Sequence, residues 1–148
     1  MEFKPVIRCD NYNKVDGHRI SNSDIEKLDL GVKKNIETNR LEIMAKLSKL
    51  NKEFDEIPVN RILDMAILLC EASLYFREAY RMPKFYDENN LTISRVGLQG
   101  DAMNIKICEE NENLDKDIIT LADELTNQGE LLGERFNVLS EILQELGY

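Results

Sequence analysis

The 148-residue sequence predicts an α+β protein, an antiparallel sheet with one long central helix and two C-terminal helices packed on one face. Three patterns carry that reading. Residues 28–50 alternate apolar and polar side chains on either side of a four-residue break, the period of a half-buried β-hairpin. Residues 58–81 are apolar around most of a helical circumference. Residues 113–128 and 130–146 each repeat apolar side chains at helical spacing. The length suits a single domain, 1–148, since a chain of this size can bury about two thirds of its unfolded surface.

Taken in order, residues 4–10 (KPVIRCD) form a short strand in which Phe3, Pro5, Ile7 and Cys9 share a face. The run DNYNKVDGHR that follows is rich in turn formers. A helical turn over 24–28, capped by Ser21 or Ser23, leads into the hairpin, whose Glu37, Thr38, Asn39 and Arg40 form the connection. In its second strand Leu41, Ile43, Ala45 and Leu47 are expected on the buried face. Pro58 opens the long helix, because proline loses nothing at a first helical position, and Pro83 lies beyond its end. The polar stripe Asn60, Asp64, Glu71 and Glu78 is narrow, which predicts a nearly enclosed helix. Met103, Ile105 and Ile107 alternate as a last strand of the same sheet. Gly129 and Gly147 are expected to end the two C-terminal helices. In the second of these, Leu132, Phe136, Leu139, Leu143 and Leu146 make a stripe that is short for a coiled coil and reads as core.

Composition limits the function. Cys9, Cys70 and Cys108 are odd in number and form no CxxC pair, so the chain fits a reducing cytoplasm better than a disulfide or zinc framework. The longest apolar run, 65–70, is far below the roughly 20 residues of a membrane span, and the N-terminus carries no secretory apolar region, so no membrane is expected. Residues 1–86 carry 15 basic and 14 acidic groups, residues 87–148 carry 4 and 14. An acidic C-terminal part with no clean basic patch argues for no nucleic acid.

RVGLQGDAMN (95–104) tests whether glycines cradle a phosphate. The segment after Gly97 and Gly100 is strand-like, so no helix N-terminus points at them, and neither phosphate-binding signature is present. They read as a bend, or a place where the backbone crosses another element too closely for a side chain. His18 is the sole histidine, and no nucleophile elbow accompanies it. The oxygen-rich run 10–24 lacks EF-hand spacing, so no metal and no cofactor is expected. Tyr75, Phe76, Tyr80, Phe85 and Tyr86 concentrate the aromatic side chains, as a core anchor or as a ligand-stacking surface.

DNYNKVDG (10–17), NSD (22–24), RILDMAILLC (61–70), FREAYRMPKFYD (76–87), RVGLQGDAM (95–103) and GELLGER (129–135) together resemble a family of small bacterial cytosolic proteins of unknown function. The resemblance implies a bacterial source and a free-standing domain; it brings no activity, cofactor or catalytic residue. The expected function is a non-enzymatic binding or assembly module, a homodimer or the partner of another protein. The alternative is a small-molecule-binding protein or small enzyme, with Asp10, Tyr12, Asp16, His18, Arg95, Gln99 and Asp101 converging on a pocket between the 10–18 loop and the 95–101 bend.

Overall fold

A computed structural model describes residues 2–17, 23–49 and 51–148. Over these residues it is an α+β protein with antiparallel sheets and three α-helices, two of them C-terminal. The chain divides into two compact units, Met1–Ala66 and Ile67–Tyr148.

In the first unit, strands β1 (Lys4–Cys9), β2 (Lys27–Asn35) and β3 (Arg40–Lys49) lie side by side, and the short β4 (Lys52–Glu53) and β5 (Ile57–Pro58) both pair with β3. The β2–β3 hairpin runs unbroken from Lys27↔Ser48 to Asn35↔Arg40. Its turn is set by Asn35, whose Oδ1 accepts the N–H groups of Glu37 at 2.9 Å and Thr38 at 3.2 Å, and by Asn39 in the left-handed region at φ 57°. Thus Arg40 begins a strand rather than closing the loop. The helical turn expected over 24–28 does not form: the Ser23 hydroxyl accepts the Ile25 N–H at 3.0 Å, and the chain then enters β2; the turn before it is a 3-10 turn over Tyr12–Lys14. Ser21 lies outside the described residues.

Two expectations about faces are corrected. In β3 the buried side chains are Met44 (5% exposed) and Ser48, whereas Leu41 is 69% exposed and Ile43 is also exposed. Alternation says which residues share a face, not which face is covered. Met44 is flanked by Gly31 on β2 and Pro58 on β5, and the Phe3 ring lies over Gly31. In β1 the register shifts between Pro5 and Ile7, since Pro5 pairs with Gly31 and Ile7 with Leu30. This bulge puts Phe3 and Pro5 on one face, Ile7 and Cys9 on the other.

Helix α1 (Val59–Phe76) starts one residue after Pro58 and stops short of residue 81, with a separate 3-10 turn over Ala79–Arg81. It is not enclosed. None of its side chains is fully buried, and Leu63, Met65 and Leu74 are each more than half exposed. No helix among the described residues is long and apolar enough to cross a membrane.

In the second unit, β6 (Thr92–Val96) and β7 (Met103–Lys106) form a two-stranded sheet. Residues 102–108 therefore do not join the main sheet; a strand only a short loop upstream supplies a nearer partner. Ile105 and Ile107 point inward as their alternation requires, and with Ala79 and Ile118 they make the buried apolar set of this unit. Helices α2 (Leu114–Asn127) and α3 (Gly129–Leu146) are separated by Gln128, whose N–H still donates to Glu124 and whose carbonyl accepts from Leu132. Gly129 thus opens α3 instead of closing α2. Gly147 does close α3, at φ 98°, with its N–H donating to Gln144 and that of Tyr148 to Leu143.

Candidate functional site

The residues singled out by sequence fall into two groups, one in each unit. Asp10 is exposed just after β1, Tyr12 donates its backbone N–H to Glu26 at 3.0 Å, and Asp16 lies half-buried in the turn that follows. His18 lies outside the described residues. In the second unit Arg95 sits on β6 opposite Asn104, Gln99 is exposed on the loop, and Asp101 accepts the adjacent Ala102 N–H at 2.8 Å. Neither group lines any of the cavities described below. Gly97 and Gly100 lie on the bend before β7, as expected, but a side chain at either would meet nothing within 4 Å. The close backbone crossing belongs to Gly31, where a β-carbon would fall 2.0 Å from the Lys4 carbonyl oxygen.

Electrostatically, the first unit is organised around Asp29 on β2. Its carboxylate is buried and accepts Nε of Arg8 at 2.5 Å and Nη2 at 3.0 Å, a two-pronged pair. The hydrogen bond and charge of Arg8 hold Asp29 below the usual carboxylate range, helped by Lys27 and Lys46, while burial opposes the shift. This pair joins β1 to β2 next to the bulge. Among the described residues, no three His, Cys, Asp or Glu side chains converge to hold a metal ion.

The second unit holds several concavities. One, lined by Tyr86, Glu109, Asp115 and Lys116 among others, is a shallow acidic hollow before α2, in which the Tyr86 hydroxyl donates to Asp115 at 2.7 Å. Two more are folds of single segments, 74–82 and 82–89. The one whose walls lie farthest apart in sequence, about 350 Å3, sits between the end of α1, the loop at Phe85, α2 and the start of α3. Phe76, Phe85 and Phe136 line it, and Gly129 and Gly133 contribute no side chain.

The Phe85 wall is conformationally strained. Its φ is 65°, unusual for a bulky side chain, and a residue held there costs about 1–3 kcal/mol. The Tyr75 hydroxyl holds it by donating to the Phe85 carbonyl at 3.2 Å, and the Phe85 N–H donates to Met82. Burial, then the charge of Asp87, pushes the Tyr75 hydroxyl above its ordinary pKa. Ser73 and Thr126 at the cavity spend their hydroxyl protons on Leu69 and Ala122 within their own helices. Arg77 and Asp123 are also at its lining, and neither forms an ion pair among the described residues. Sequence reading found the aromatic cluster and the GELLGER segment separately. A glycine at 133, inside an amphipathic helix where it costs about 1 kcal/mol relative to alanine, was the overlooked sign of space.

Beyond the cavity, the apolar side chains of α3 are largely exposed. Leu132 and Phe136 are half-buried, yet Val138, Leu139 and Ile142 are exposed, with Leu143 at 39% and Leu146 at 68%. The stripe that reads as core in sequence is half-buried in its first part and exposed in its second.

No curated protein and no solved structure matches the chain. A family model does match, over residues 1–148, and the chain belongs to the family it describes, a family of unknown function (DUF6530).

Proposed function

We propose that the chain is a non-enzymatic assembly module of a bacterial cytoplasm, a single domain over its whole length that pairs with a second copy of itself through the C-terminal half of α3. The observation that carries this reading is the exposed continuation of the α3 stripe, Leu139, Leu143 and Leu146, with Ile142 beside it. Contiguous apolar surface of this kind marks an interaction site on a soluble protein.

The charge pattern favours a copy of the same chain as the occupant. A net charge of −9 repels like molecules at range, but at 100° per residue Glu134 and Glu141 fall on the side of α3 opposite the stripe. The positions beside the stripe are Arg135, Ser140 and Ile142, so two stripes can meet without bringing carboxylates together. Three free cysteines suit a reducing compartment. Helix α1 crosses the boundary between the two units without a break, which supports one cooperative domain.

Light scattering on the full chain at tens of micromolar tests the reading. The expected mass is twice the 17.1 kDa of one chain, and Leu139→Glu with Leu143→Glu is expected to return it to a single chain with unchanged helical circular dichroism. A wild-type protein that stays at one chain mass would end the proposal.

A further inference from the structure

We infer that the cavity between α1, α2 and α3 is a binding site for a small zwitterion with an apolar body, of the size and chemistry of a free aromatic amino acid. Four independent features support it. The three phenylalanine rings offer stacking walls for a flat apolar group. The volume, about 350 Å3, lies at the lower end of the roughly 300–1,000 Å3 range of ligand pockets, so the occupant is small. The strained backbone at Phe85 is held by the Tyr75 hydroxyl, the kind of strain that collects at binding sites. Gly133 keeps open a space that a longer side chain on the same helix would occupy, since a β-carbon there meets nothing within 4 Å.

The charged groups choose the ligand class. Arg77 and Asp123 lie at the same cavity with opposite charges and without an ion-pair partner among the described residues. A guanidinium offers paired donors to a carboxylate, and Asp123 offers an acceptor to an ammonium group. A purely anionic ligand would face the acidic field of this unit, in which residues 67–148 hold 7 basic against 16 acidic groups. A purely cationic one would sit beside the like charge of Arg77. A ligand carrying both charges meets neither penalty.

Isothermal titration of the full chain with L-phenylalanine tests this, with phenethylamine and N-acetyl-phenylalanine as probes lacking one charge each. Saturable binding of one L-phenylalanine per chain is expected, with each probe weaker on the order of tenfold or more, the usual loss when a charged hydrogen bond goes unmade. Arg77→Gln is expected to erase the preference for L-phenylalanine over phenethylamine, and Asp123→Asn that over N-acetyl-phenylalanine. Gly133→Leu fills the cavity while improving helix propensity, so it should abolish binding with no loss of thermal midpoint. The Leu139→Glu, Leu143→Glu chain should bind as the parent does, which separates this site from assembly. No heat with L-phenylalanine, equal binding of phenethylamine, or undiminished binding by Gly133→Leu would each overturn the inference.

Discussion

Asp29 and Gly31, two positions apart on β2, show how single residues decide the first unit. Gly31 is where the bulged β1 passes, and a methyl group there would overlap the Lys4 carbonyl. Gly31→Ala is therefore expected to destabilise the protein by about 1–3 kcal/mol, the usual cost of overpacking, read as a lower urea midpoint. Asp29 gives a pH signature. Its folded pKa lies below the unfolded value near 3.9, so the stability it contributes is complete above that value and is lost as pH falls through the folded one. Asp29→Asn should flatten the acid limb of stability below the unfolded carboxylate value and lower stability at pH 7; an unchanged acid limb would show that Arg8 does not hold the carboxylate. Neither residue was prominent in the sequence. Gly31 sits inside a regular alternation, and only the β1 register, shifted by a bulge that leaves no compositional mark, reveals what it is for.

At the level of elements, the hairpin, the helical segments and the inward set Ile105 and Ile107 were legible because each is recorded in local periodicity. Three features were not. Which face of β3 is covered depends on Phe3 and Pro58, both distant in sequence. The partner of β7 is β6, whose five residues carry too short a pattern to stand out. The exposure of α1 and of the end of α3 depends on what packs against them, and an amphipathic stripe looks the same whether its complement lies in the same chain or in another. The candidate site suffered similarly: Phe85 and Gly133 are separated by 48 positions, and nothing local joins them. Gly133→Ala is a clean test of the helix itself. With open space around the new methyl group, it should raise stability by about 0.5–1 kcal/mol, seen as a higher thermal midpoint. A lower midpoint would mean that the space is occupied.

Across the whole molecule the charge is divided sharply: residues 1–66 hold 12 basic and 12 acidic groups, so the entire −9 resides in residues 67–148. A dimer joined by apolar side chains of the acidic unit should therefore tighten as salt screens the repulsion between copies. Its dissociation constant, followed by sedimentation, is expected to fall between about 0.05 M and 0.5 M salt, across which the Debye length shrinks severalfold. Weakening with salt would point to an interface built on ion pairs. The unbroken course of α1 through the unit boundary predicts a single urea transition, coincident by tyrosine fluorescence and circular dichroism; two separated transitions would show that the units fold independently.

Assembly through α3 is the central claim, and amide hydrogen exchange at increasing protein concentration reads it where it occurs. Residues 138–146 should gain protection as concentration rises through the micromolar range, while the β6–β7 hairpin stays unchanged. Exchange in 138–146 that is fast and independent of concentration would contradict it.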